Sequence, residues 1–165
     1  MLDINWHSLA DTLGFVPHVF FDYDQAAALA THPVTPEVRE SVCEARELGH
    51  MASFGFASDN PFVGVLSGMR SHADHIRTPF MDWKRLRIVT KANPQFFGAM
   101  LLDLGIDGSR TVMVGHDPIR DIENPQSVGI TTIEVPELGS LADGILAHRG
   151  RRLIEPLAAR LSNAA

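Results

Sequence analysis

Val19-Phe20-Phe21-Asp22-Tyr23-Asp24 is a short apolar run that ends abruptly in two carboxylates. Consecutive large apolar residues suit a strand buried on both faces, as in a parallel sheet covered by helices, because a strand with one wet face would alternate. Four other runs share this character: 51–57 before Ser58, 86–90 before Lys91, 111–114 before Gly115, and 131–135 before Pro136. Between the first two runs, Thr35-Pro36-Glu37 reads as an N-cap, a first-turn proline and an early acid. Val38, Val42, Ala45 and Leu48 then share a helical face, and Gly49 closes the helix. After Asn93-Pro94, the residues Phe97, Met100, Leu101 and Leu104 repeat at helical spacing up to Gly105. Strand and helix alternate, which predicts an α/β fold: a doubly wound, Rossmann-like, mostly parallel sheet of about five strands with helices on both faces. The stretch from Pro61 to Lys84 reads as a helix plus an irregular loop.

Composition narrows the class. The 165 residues are 45% hydrophobic and 21% charged, which predicts one globular domain over 1–165. Its core falls at about 16–136 and a helical tail at about 138–165. Twenty acidic against 14 basic side chains leave a net charge of -6, the wrong sign for a nucleic-acid binder. Cys43 is the single cysteine, so no internal disulfide forms. Met1 to Trp6 shows no basic segment leading into an apolar one, and the expected location is cytoplasmic.

In open α/β sheets ligands bind beyond the carboxyl ends of the strands. Four of the five runs end there in chemically capable groups: Asp22 and Asp24, then Ser58, then Lys91, then Gly115-His116-Asp117-Pro118-Ile119-Arg120-Asp121. This ordered set resembles the haloacid dehalogenase (HAD) superfamily of phosphohydrolases, whose motifs are Asp-x-Asp, a Ser or Thr, a Lys or Arg, and a Gly-Asp with a second acid a few residues on. The resemblance spans about Val16 to Val135. Residues 35–39, 111–115 and 129–136 look most like the small, capless YqeG-like branch, related to phosphatidylglycerophosphate phosphatases. It implies a Mg²⁺-dependent phosphomonoesterase without a separate cap domain, acting on an accessible phosphate such as a lipid headgroup, a nucleotide or a sugar phosphate.

Phosphoryl transfer needs an in-line nucleophile, an acid for the leaving oxygen and positive charge around the equatorial oxygens. Asp22 fits the nucleophile and Asp24 the acid that later activates water. Ser58 would donate to a phosphoryl oxygen, and Lys91 would neutralise nucleophile and phosphate together. The resemblance implies Mg²⁺ held by Asp22, Asp24 and the acids of the last motif, Asp117 and Asp121. Two positions depart from the pattern. Ala26 stands where Thr or Val is usual, and His116 takes the metal-binding Asp position when the motif is aligned on Gly115. Aligned on the acids, Asp117 and Asp121 keep a spacing that some members use, and two carboxylates remain for the metal.

Blander readings accompany each residue. Asp22 and Asp24 would cap a loop, Ser58-Asp59-Asn60 would be a turn, Lys91 a solvated strand-end lysine, and Asp117 and Asp121 helix caps. His18, His50, His72 and His75 show no metal-ligand spacing and read as surface residues, and Cys43 as a small helix residue. His148, Arg149, Arg151 and Arg152 form a basic cluster beside Leu153, Ile154, Leu157 and Leu161. It reads first as a terminal helix packed on the sheet or a second subunit, and second as peripheral contact with anionic lipid. A receiver-like phospho-acceptor is disfavoured because Lys91 precedes the 115–121 motif. The remaining alternative is a catalytically degenerate fold that binds a partner without turnover.

Overall fold

The computed structural model describes residues 6–22, 36–63, 70–115 and 117–134. Helix α1 (Trp6–Leu13) leads into β1 (His18–Phe21), helix α2 (Pro36–Glu47) and β2 (Ser53–Ala57). Three short strands follow, β3 (His75–Arg77), β4 (Phe80–Asp82) and β5 (Arg87–Val89), then helix α3 (Gln95–Leu104). After a 3₁₀ turn at Gly108–Arg110 come β6 (Thr111–Gly115), a helical segment over Pro118–Glu123 that runs on through Asn124–Gln126, and β7 (Thr131–Glu134). Five strands form one sheet in the order β3-β2-β1-β6-β7, and every neighbouring pair is parallel. The chain starts at the centre, winds out to one edge, then returns to build the other. The direction reverses between β1 and β6, and such a switch point opens a crevice at the carboxyl ends of the two strands.

The quoted apolar run is buried for the expected reason, since Val19, Phe20 and Phe21 lie inside on both faces of the sheet. On one face Phe20 pairs with Gly55 and Met113 and joins Phe96, Phe97 and Met100 of α3, with Val89, in one apolar cluster. Gly55 is required there. A Cβ would sit 2.7 Å from the Phe20 ring and 2.7 Å from the His75 carbonyl oxygen. On the other face Phe21 meets Phe54 with ring centroids 5.4 Å apart, and Phe54 meets Phe56 edge-on at 5.1 Å. Helix α3 stops at Gly105, whose φ of 65° is the left-handed conformation that lets its amide reach the last carbonyls.

The third apolar run behaves differently from its neighbours. Residues 86–90 were expected in the parallel sheet, but β5 pairs antiparallel with β4 in a separate two-stranded hairpin. The fifth parallel strand is β3, in the segment read as a helix plus loop. Its His-Ile-Arg sequence at a sheet edge has no apolar run to betray it, because only one side has a neighbouring strand. The hairpin is held down by Asp82. Its carboxylate accepts from the amides of Lys84 and Arg85, at 3.1 and 3.3 Å, and from the side chains of Arg85 and Gln95, at 3.1 and 3.3 Å. Burial pushes the Asp82 carboxyl up, but the Gln95 and Arg85 hydrogen bonds outweigh it and hold the group below its usual range. In α2, Val42 and Ala45 are buried as expected, whereas Leu48 is exposed because the helix ends one residue before it.

The histidines expected at the surface are half-buried and engaged. The His75 ring stacks on Phe20, and the His72 carbonyl accepts from Arg46 at 3.0 Å. His18 Nδ1 lies 2.8 Å from Ser53 Oγ, its register partner on β2. Burial, with the nearby charges of His75 and Arg110, lowers the His18 pKa below 6.5. A depressed histidine contributes stability that is whole above its unfolded value and is lost as pH falls through that value toward the folded one. Thermal melts between about pH 7.5 and 5.5 are therefore expected to show a drop that is smaller in His18→Gln. An equal drop in both proteins would remove His18 as the cause.

Candidate active site

Asp22 follows β1, and its amide donates to the Val114 carbonyl at 2.9 Å, which carries the β1–β6 ladder one residue past the strand. Its backbone is thus set by the sheet at the switch point. Ser58 follows β2 in the same manner, with its amide bonded to the Arg77 carbonyl at 3.0 Å and its Oγ accepting from the Asn60 amide at 3.0 Å. Lys91 arrives from the turn between β5 and α3. The hairpin folds the chain back so that a residue outside the parallel sheet reaches its carboxyl edge.

These side chains are buried in the interior. Relative exposure is 0% for Asp22, Ser58 and Asp121 and 1% for Lys91. Lys91 Nζ donates to Asp22 Oδ1 and, at 2.8 Å, to Asp121 Oδ1. One buried ammonium therefore bridges two buried carboxylates. Such an arrangement survives only because each charge has partners; an isolated one would be neutralised or expelled. The other Asp121 oxygen accepts from the Asp117 amide at 2.9 Å.

Asp121 comes this close because of Gly115. A Cβ on Gly115 would lie 2.5 Å from Asp121 Cγ and 2.6 Å from its Oδ2, so the end of β6 has no room for any side chain. Gly115→Ala is expected to push Asp121 off Lys91 and to cost about 1–3 kcal/mol of stability as overpacking. Urea denaturation measures this, and a midpoint equal to that of the unchanged protein would contradict it.

The sequence-predicted residues separate into three groups. Asp22, Ser58, Lys91 and Asp121 all lie buried at the carboxyl edge of the sheet, and Lys91 joins the two acids directly. Asp117 stands at the N-terminus of the helical segment, where its Oδ1 accepts from the amides of Ile119 and Arg120 at 2.9 and 2.8 Å. It meets Asp121 through its backbone amide. Asp24, Ala26 and His116 lie outside the described residues, as does the tail from Leu138. Two further residues that the motifs did not single out converge on Lys91, and a third pairs with one of them. Asp59 Oδ1 accepts from the Lys91 amide at 2.8 Å, Asn124 Nδ2 donates to the Lys91 carbonyl at 2.8 Å, and Arg120 Nη1 is 3.5 Å from Asp59 Oδ2. Sequence held a faint signal for Asn124 alone, which sits three residues after Asp121 and so near it on a helical surface.

The donor set suits a hard divalent cation. Among the described residues two buried carboxylates face one ammonium, and carboxylate oxygens are ligands that Mg²⁺ accepts. Among the described residues no three His, Cys, Asp or Glu side chains gather as a metal cage. This is compatible with Mg²⁺, which is commonly held by one or two carboxylates together with water and substrate phosphate.

Asp22, Lys91 and Asp121 are thus brought together, buried, at a switch point of the sheet. Residues 88–152 match a family model described as HAD-hydrolase-like. That span contains Lys91 and the whole 115–121 motif. No curated protein sequence matches the chain. Among solved structures, an uncharacterised Listeria monocytogenes protein aligns with a TM-score of 0.53 at 19% identity, covering 73% of this chain and 78% of its own. A Corynebacterium glutamicum protein aligns at 0.52 and 14% identity, covering 82% and 96%. The core domain of a Streptococcus pneumoniae protein assigned as a phosphoglycolate phosphatase aligns at 0.51 and 17% identity, covering 78% and 93%. At these identities the likeness is one of fold. Among the described residues no helix is long and apolar enough to cross a membrane.

Proposed function

We propose that this chain is a HAD-type phosphomonoester hydrolase that works through an aspartyl-phosphate on Asp22. The observation that carries the reading is the buried ammonium of Lys91 shared between Asp22 and Asp121 at the carboxyl edge of β1 and β6. The carboxylate of Asp22 attacks phosphorus in line with the ester oxygen, and the phosphorus–oxygen ester bond breaks. Asp24 is assigned the proton for the leaving alcohol, and in the second half-reaction it takes a proton from the water that cleaves the acyl phosphate. Lys91 pairs with the Asp22 carboxylate and offsets charge on the equatorial oxygens, and Ser58 supplies a hydroxyl donor to one of them. Asp121 holds the Lys91 ammonium against the nucleophile. Asp22 and Asp121, with Asp24 and Asp117 on the sequence reading, would hold Mg²⁺, which when bound supplies the positive charge that lets a phosphate dianion approach two carboxylates.

Support for this comes from the Lys91 contacts to Asp22 and Asp121, from the HAD-hydrolase-like match over 88–152 and from the shared fold. The capless, YqeG-like placement and an accessible phosphate as substrate belong to the same proposal. The test is hydrolysis of para-nitrophenyl phosphate and of a panel of lipid, nucleotide and sugar phosphates with and without Mg²⁺. Turnover that needs Mg²⁺ and stops with EDTA is expected. Uniform inactivity of folded protein would favour a binding role without turnover.

A further inference from the structure

Lys91 belongs to no helix or strand. It lies in the turn between β5 and α3, and local hydrogen bonds in that turn serve its neighbours: the Thr90 carbonyl accepts from Asn93, Thr90 Oγ1 from Ala92, and the Asn93 carbonyl from Phe96. The polar groups of the Lys91 main chain are taken from far away. Its amide donates to Asp59, 32 residues distant, and its carbonyl accepts from Asn124, 33 residues distant. We propose that Asp59 and Asn124 are positioning residues that clamp the main chain of Lys91 and so decide where its ammonium stands between Asp22 and Asp121.

A lysine side chain has four torsions, so its tip follows any rotation of the peptide that carries it. A site of this kind tolerates about 0.5 Å and 10–20° before it weakens. Clamping both ends of the residue removes that rotation. The anchors are also placed to matter. Asp59 adjoins Ser58, and Asn124 lies in the same helical run as Asp121, so the two side chains that grip Lys91 are carried by two of the loops that meet at the site. Arg120, 3.5 Å from Asp59, closes the circuit from the helical run back to the β2 loop. Asn124 is buried, and its side-chain amide donates to the Lys91 carbonyl.

The kinetic arm of the test rests on the phosphohydrolase reading, and the chemical arm does not. Asn124→Ala and Asp59→Ala are each expected to lower kcat about 10- to 100-fold. KM should stay within about threefold, since the loss falls mainly on the transition state. Asp59→Asn retains the oxygen acceptor and should recover most of the rate. The chain has two lysines, Lys84 and Lys91. Acetylation by N-hydroxysuccinimidyl acetate, read by peptide mass spectrometry, should spare buried Lys91 relative to exposed Lys84 in the unchanged protein. It should reach Lys91 in both alanine variants under conditions where circular dichroism shows them folded. An unchanged kcat with Lys91 still protected would overturn the clamp, and so would Asp59→Asn being as defective as Asp59→Ala. Were the unchanged protein inactive on every phosphate, the phosphohydrolase reading would fail by itself. The labelling would then decide the clamp alone: a rise at Lys91 sustains it and no rise refutes it.

Discussion

Asp22→Asn is expected to lower phosphatase turnover by about 10³-fold or more while leaving the protein folded. A carboxamide has nearly the shape of the carboxylate and retains an oxygen for Lys91 Nζ, but it is not a competent nucleophile toward phosphorus. The substitution also removes one of two buried anions that share a single ammonium, so the remaining Lys91–Asp121 pair is balanced. Loss of activity through unfolding is therefore not anticipated, and circular dichroism and a thermal melt on the same sample establish this. Retention of activity within about tenfold would move the nucleophile elsewhere and undo the proposed mechanism.

The second large effect concerns stability. Lys91→Met keeps most of the apolar volume and deletes the ammonium, which leaves Asp22 and Asp121 buried beside each other without their shared cation. Removing one partner of a buried ionic cluster costs about 3–5 kcal/mol, because the charges left behind have lost both water and counter-charge. Urea denaturation at neutral pH should show that loss. Adding Asp22→Asn and Asp121→Asn to Lys91→Met should recover most of it, since three neutral side chains no longer repel and the departure from additivity measures their coupling. A Lys91→Met protein as stable as its parent would mean that the carboxylates are not held ionised in the interior.

Four of the five apolar runs were legible as strands of the parallel sheet; in β1, β2 and β6 burial on both faces erases alternation, as at Val19-Phe20-Phe21, whereas β7, at an edge, is only partly buried. The two helices were legible from their caps, at Pro36 and Gly49 and at Asn93 and Gly105, where Asn93 Oδ1 accepts from the Gln95 amide at 2.9 Å. Helix α1 escaped notice. It is eight residues long, and Leu9 is its buried anchor. β3 escaped for a different reason, since an edge strand is defined by its partner more than by its own residues. At the site, Asp22, Ser58, Lys91 and Asp121 could be nominated because their side-chain chemistry follows recognisable runs. Asp59 and Asn124 could not, since each works through a hydrogen bond to the main chain of a residue more than thirty positions away.

Sequence alone determined the class of the fold and the order of the reactive groups. Both are local properties: hydrophobic periodicity selects strand or helix, and the carboxyl end of a buried strand is where polar groups emerge. Tertiary structure alone decided which strands share a sheet, that the run before Lys91 belongs to a hairpin, and that Lys91 is buried between Asp22 and Asp121 instead of solvated at a strand end. Those outcomes depend on what each segment meets in space. A lysine can be left in water or driven inside, and only the presence of two carboxylates and a clamped backbone at the same point makes the buried state the stable one.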